Sequence, residues 1–103
     1  MEIGLFQLEN LIHSHSRFNF FDLRGESPTL PESLEQILAR AIRLGVTNVE
    51  KYVKDQNFAK DAPLILICEN GQSSARVAGK LEASGFTNVY VIEGGADGLL
   101  SEL

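Results

Sequence analysis

Apolar residues at Leu5, Leu8, Leu11 and Ile12, spaced by three, three and one, predict a short amphipathic helix. It gives way at the polar run His13-Ser14-His15-Ser16. Phe18 to Leu23 is rich in aromatics and ends in Arg24-Gly25, the pattern of a strand followed by a loop. Ser27-Pro28-Thr29-Leu30-Pro31 is a breaker cluster. Beyond it Leu34, Ile37, Leu38, Ala41 and Ile42 fall at i, i+3, i+4, i+7 and i+8. Pro31 and two early glutamates suit the start of a helix, and Arg43 and Gly45 suit its end, so one long helix is expected up to Gly45. Val49, Tyr52 and Val53 predict a shorter helix. Leu64-Ile65-Leu66-Ile67-Cys68 is an unbroken apolar run, typical of a strand covered on both faces. Ser73 to Ser84 carries Ala75, Val77, Ala78 and Leu81 at helical spacing and is stopped by Gly85. Val89 to Ile92 is a further buried strand, closed by Gly94-Gly95, which is expected to turn tightly beside the residues that follow Cys68. Strands alternating with helices, with no hairpin turns between the apolar strands, predict an α/β domain with a mostly parallel sheet. No repeat, low-complexity tract or linker divides the chain, so residues 1–103 are expected to form a single domain.

Composition narrows the function classes. At 44% hydrophobic and 22% charged, the 103 residues read as an ordinary globular protein, with no apolar run near the roughly 20 residues that cross a bilayer. The start Met1-Glu2-Ile3-Gly4 has neither the basic nor the apolar region of a secretion signal. One cysteine excludes an internal disulfide, and with two histidines it makes a poor metal inventory, so neither metal nor cofactor is expected, and a reducing cytoplasm fits. The net charge of −5, with nine scattered cations, argues against nucleic acid as a partner, and no membrane partner is expected.

The candidate chemistry lies in Cys68-Glu69-Asn70-Gly71-Gln72-Ser73-Ser74-Ala75-Arg76. The cysteine ends a buried parallel strand, and one polar turn leads into a helix. Ligands of open α/β sheets bind at that end of the strands, where a helix N-terminus presents unpaired N–H groups and about half a positive charge. A thiolate at such a focus is stabilised. Gly71 permits the turn that points successive N–H groups inward. Most strand-end cysteines are inert packing residues, so this context makes Cys68 a candidate nucleophile and does not by itself decide the matter.

This loop, with Ala75-Arg76 behind it, resembles the active-site signature of the rhodanese-like domain. Phe20-Phe21-Asp22-Leu23-Arg24 is similar to the family's Asp-Val-Arg strand. Asp61 to Cys68 is similar to its Lys-Pro-Ile-Val-Val-Tyr-Cys entry, and Leu81 to Gly95 to its closing segment. The resemblance implies a three-layer domain with a five-stranded, mostly parallel sheet flanked by helices. It implies a sulfurtransferase in which Cys68 carries sulfane sulfur as a persulfide. The donor would be a small sulfur compound or a protein persulfide, and the acceptor a thiol, a cyanide-like nucleophile or a protein. Glu69, Asn70, Gly71, Gln72 and Ser73 would offer backbone N–H groups to the persulfide, and Ser73 or Ser74 a hydroxyl and a helix cap. Asp22, Arg24 and Arg76 are possible supporting residues, more naturally loop braces or surface groups.

Two departures matter. The family's Gly-His-Ile-x-Gly-Ala segment has no counterpart between Arg24 and Cys68, so a short strand is expected to be lost or shifted there. The loop also lacks a cation and carries Glu69 beside the cysteine, which disfavours a dianionic donor such as thiosulfate unless the carboxylate points to solvent. Both departures favour an alternative, a catalytically weak or inactive module for partner binding or redox sensing. Phosphoester hydrolysis, which related cysteine loops perform, wants arginine six residues after the cysteine to clamp phosphate. Ser74 stands there. His13 and His15 are expected to face solvent, and Leu99, Leu100 and Leu103 to pack in the core.

Overall fold

The computed structural model describes residues 1–14, 17–25 and 29–103. His15 and the Ser27-Pro28 part of the breaker cluster lie outside the described residues. The elements are β1 (Glu2–Ile3), α1 (Leu5–His13), β2 (Asn19–Asp22), α2 (Glu32–Leu38), β3 (Ile42–Arg43), α3 (Val49–Asp55), β4 (Leu64–Ile67), α4 (Gln72–Ala83), β5 (Val89–Ile92) and α5 (Gly95–Ser101), with one 3₁₀ turn at Val46–Asn48. The five strands form one sheet in the order β1-β5-β4-β2-β3, and every pairing is parallel.

Side-chain alternation along the strands divides the core in two. Phe21, Leu64, Leu66, Cys68, Val89 and Val91 face α3 and α4, packing on Val49, Val53, Val77 and Leu81. Phe20, Ile65, Ile67 and Ile92 face the other way, onto Leu5, Leu8, Leu34, Leu38 and Leu99 of α1, α2 and α5. Successive β-residues point to opposite faces, so a strand covered by helices on both sides must be apolar throughout. That accounts for Leu64–Ile67. The same alternation sends the Cys68 side chain toward the α4 layer, in phase with Leu64 and Leu66. Phe21 is fully buried there against Tyr52, edge-on at 5.6 Å, and Phe58, at 6.3 Å.

The expected long helix ends early. Helix α2 stops at Leu38, where Arg40 N–H bonds to Ile37 O and Ala41 N–H to Leu38 O in a tightened last turn. Ile42 and Arg43 leave the helical stripe and pair in parallel with Phe21 and Asp22. Leu44 N–H then continues the ladder to Asp22 O at 3.1 Å. The outer edge of β2 offers these residues backbone partners, an interaction across the sheet that outweighs the local apolar period. The sheet thus keeps its fifth strand on this side. Strand β1 was not expected; Val91 N–H bonds to Met1 O and Glu93 N–H to Ile3 O. At the C-terminal end only Leu99 is core. Leu100 and Leu103 are 44% and 62% exposed, against expectation, because α5 buries the face carrying Ala96 and Leu99 alone.

Candidate functional site

Strand β4 ends beneath the N-terminus of α4. Between them residues 68–71 make a turn closed by Gly71, whose φ of +91° lies in the left-handed region open to glycine. Asn70 shapes the turn by accepting Gln72 N–H on its side-chain oxygen at 3.0 Å. The result is a bowl with the Cys68 sulfur at its centre. Gly71 N–H points at Sγ from 3.1 Å and Ser74 N–H from 3.3 Å, and Ser74 Oγ lies 3.3 Å from Sγ. Ser74 Oγ can also donate to Gly71 O at 3.3 Å, so its single proton chooses between the carbonyl and the sulfur. Both side chains are buried. Two backbone N–H groups converge on one sulfur at a helix N-terminus, joined by Ser74 Oγ when its proton turns that way, an arrangement that favours negative charge at that point.

The bowl is braced from behind by α5. Ala96 N–H bonds to Cys68 O at 2.8 Å and Asp97 N–H to Glu69 O at 2.9 Å. Gly94 and Gly95, with φ of +70° and +63°, make the tight turn expected beside the loop. A Cβ on Gly95 would stand 2.3 Å from Cys68 O and 2.7 Å from Glu69 C. Only glycine lets the two backbones approach so closely.

The expected residues divide accordingly. Cys68, Gly71 and Ser74 form the bowl, while Asn70 and Gln72 shape it through backbone and side-chain bonds and otherwise face solvent. Ser73 lies half-buried on the rim. Arg76 is exposed on α4, and no hydrogen bond or ion pair among the described residues ties it to Cys68. Asp22 and Arg24 are buried and hold one another, Arg24 Nε at 3.0 Å from Oδ1 and Nη2 at 2.9 Å from Oδ2. The hydrogen bond to Asp22 raises the Arg24 pKa above the ordinary arginine value, and burial opposes it only in part. Their partners make them braces of the β2 end. His13 is exposed at the end of α1. Among the described residues no three His, Cys, Asp or Glu side chains gather as metal ligands.

Glu69 takes a definite position. Its exposed carboxylate accepts Gly25 N–H on Oε2 at 3.2 Å, across 44 residues of sequence. Arg43 is a residue that sequence reasoning missed. From the end of β3 its Nη2 donates to Arg24 O at 2.9 Å and Gly25 O at 3.0 Å. Its signal was masked by the apparent helix running to Gly45. Arg24, Gly25, Arg43, Leu44, Glu69 and Ser73 are among the residues lining a cleft of about 460 Å³ at the carboxyl ends of β2, β3 and β4, beside the bowl. A 590 Å³ cleft, mainly apolar, lies instead at the amino ends of the strands around Phe18, Pro63 and Tyr90, a strand's length from the sulfur. Of the two, the smaller cleft is the one that adjoins the cysteine loop, through Glu69 and Ser73.

Comparison with known proteins agrees with this architecture. Residues 7–102 match the family described as rhodanese-like domain. A thiosulfate sulfurtransferase GlpE from Pseudomonas entomophila (strain L48) is 41% identical over 54 residues, half of each chain. A GlpE of the same description from Tolumonas auensis is 40% identical over 43 residues, 42% of this chain and 41% of its own. The matches thus span about half the length of these relatives or less. Among solved structures, a rhodanese homologue from the extremely thermophilic bacterium Thermus thermophilus superposes with a TM-score of 0.66 at 25% identity, over 96% of this chain and all of its own. A rhodanese-like domain protein from Staphylococcus aureus shares the fold, with a TM-score of 0.70 at 20% identity over 95% of this chain and 89% of its own. With its all-parallel five-stranded sheet and a match over nearly its whole length, the chain belongs to the rhodanese-like domain family.

Proposed function

We propose that the protein is a sulfurtransferase that carries sulfane sulfur on Cys68. The Cys68 thiolate attacks the outer sulfur of a donor R–S–S⁻. A new bond forms between the two sulfurs, the donor's S–S bond breaks, and R–S⁻ leaves with the electron pair. A nucleophilic acceptor, thiol, cyanide-like or protein, then takes the terminal sulfur, and the electron pair of that S–S bond returns to Cys68. No external oxidant or reductant is needed, and the two half-reactions share one covalent intermediate. The observation that carries this reading is the bowl: Gly71 N–H, Ser74 N–H and Ser74 Oγ meet at Cys68 Sγ within 3.3 Å. The descriptions of the GlpE relatives support the same class of reaction. It requires a compartment that keeps the lone thiol reduced, for which we take the cytoplasm.

Intact mass after incubation with a persulfide donor tests it. The expected result is a gain of one sulfur atom, reversed by reductant and absent in Cys68→Ser. If no donor gives that gain, the chain is a binding or redox-sensing module instead.

A further inference from the structure

The cleft beside the bowl is electrically two-sided, and the backbone of one residue, Gly25, holds its two signs apart. Gly25 N–H is bound by the Glu69 carboxylate, and Gly25 O by the Arg43 guanidinium. The two charged groups form no ion pair with each other; the ion pairs among the described residues are Arg24–Asp22 and Lys51–Asp55. Through the Gly25 backbone, Oε2 and Nη2 lie no more than about 10 Å apart. Arg24 adds no uncompensated charge, since Asp22 neutralises it. Arg43 keeps its charge. Two carbonyls occupy the Nη2 hydrogens, and its three other N–H groups meet no acceptor among the described residues. Glu69 likewise retains lone pairs beyond the one given to Gly25.

A ligand for such a cleft presents an ammonium and a carboxylate on one small frame. The head of an α-amino acid, with a hydrogen bond at each end, spans about 8–9 Å, which falls within that limit. The cleft's 460 Å³ is far more room than a bare sulfur oxyanion needs, and such an anion leaves Glu69 unanswered. Glu69, next to Cys68, and Ser73, next to Ser74 in the first turn of α4, both line the cleft wall, so a side chain reaching inward from the amino-acid head runs toward the sulfur.

We propose that the sulfur donor is a zwitterionic amino-acid persulfide, its α-ammonium read by Glu69 and its α-carboxylate by Arg43. The inference rests on the sulfur-carrier reading and adds the substrate class. Both residues act in specificity and leave the sulfur chemistry to the bowl.

The test compares rates of Cys68 loading, by intact mass, from cysteine persulfide, from cysteamine persulfide, which lacks the carboxylate, and from 3-mercaptopropionate persulfide, which lacks the ammonium. The wild type is expected to load from cysteine persulfide about tenfold faster than from either trimmed donor, as befits one charged hydrogen bond lost. Arg43→Gln should equalise cysteine and cysteamine persulfides, and Glu69→Gln should equalise cysteine and mercaptopropionate persulfides. These are ratios within one protein, so a general loss of activity does not imitate them. If Arg43→Gln fails to fold, the wild-type series and Glu69→Gln decide. Equal loading from all three donors, or ratios unmoved by the substitutions, overturns the proposal and leaves the carrier reading intact. No loading from any donor overturns the carrier reading itself, and this proposal with it.

Discussion

Replacing Gly95 with alanine should damage the sulfur site through the backbone behind it, without touching any group that faces the sulfur. The new Cβ meets Cys68 O at 2.3 Å, Glu69 C at 2.7 Å and Asn70 N at 2.8 Å, all of them backbone atoms that no rotamer change can remove. Relief requires opening the gap by about 1 Å, since carbon and oxygen rarely approach within about 3 Å. That separation breaks or stretches Ala96 N–H to Cys68 O and Asp97 N–H to Glu69 O, each worth about 1 kcal/mol. The φ of +63° adds about 1–2 kcal/mol for a side chain in left-handed backbone. The sum is about 3–4 kcal/mol, a fall in Tm of about 15 °C or more for a domain of this size. Gly79 provides the control, because a Cβ there meets nothing within 4 Å and the residue lies inside α4. Gly79→Ala should therefore stabilise by about 0.5–1 kcal/mol. Calorimetry gives the two Tm values. Persulfide loading at about 20 °C, where both variants are folded, shows whether the loop has moved, and Gly95→Ala should load at least about tenfold more slowly. A Gly95→Ala protein with wild-type Tm and wild-type loading would refute the claim that α5 holds the cysteine loop in place.

Glu69→Arg changes the charge beside the cysteine by two units on an exposed side chain, so thiosulfate turnover should rise by about tenfold and the gain should shrink as salt is raised; turnover unchanged at low salt contradicts this. Ser74→Ala removes the hydroxyl 3.3 Å from Sγ but keeps the Ser74 N–H contact, so sulfur loading should slow about tenfold while Tm moves only a few degrees, and an unaffected rate would mean that Oγ serves Gly71 O alone. Asp22→Asn removes the carboxylate that holds the buried Arg24 guanidinium and should cost about 2 kcal/mol, below the usual buried-pair loss because Glu35 and Glu69 also act on Arg24 and it borders the open cleft. The Asp22 bond raises the Arg24 pKa, so that guanidinium's contribution is complete below the ordinary arginine value and is lost only as pH rises through the still higher folded value. Urea midpoints between about pH 7 and 9 should then show no drift that Arg24→Met abolishes.

The elements legible in the sequence are those whose own residues decide them. Leu64–Ile67 reads as a doubly covered strand because every one of its side chains is buried, and α4 reads as a helix from Val77, Ala78 and Leu81 with Gly85 as its stop. The loop between them was legible for the same reason, since Gly71 and Ser74 lie within six residues of the sulfur they address. Strand β1 was hidden because two residues carry no period, and its hydrogen bonds come from β5, at the far end of the chain. Strand β3 was hidden by coincidence: Ile42 falls on the i+8 position of a real helical stripe, yet its backbone partner is Phe21. Missing β3 also concealed Arg43, and so the cation that faces Glu69 across the cleft. That the Glu69 carboxylate reaches Gly25 follows from β2 and β4 lying side by side, which no local pattern records.

The clasp of α5 on the cysteine loop has a consequence for the order in which the molecule is assembled. Cys68 and Ala96 are distant in sequence, so the bonds that fix the loop form only after β5 has joined the sheet and the chain has reversed at Gly94-Gly95. During synthesis the thiol leaves the ribosome well before its brace does. Until residues 94–97 dock, the donors around the sulfur are unsupported, and the nascent chain holds an ordinary cysteine in place of an anion-binding bowl. Completion of the bowl is thereby deferred to the end of folding. In native-state hydrogen exchange, the Ala96 and Asp97 amides should open together with Gly71 and Ser74, as one cooperative unit less stable than the β4–β5 pairing. Independent opening of the two groups would contradict the link.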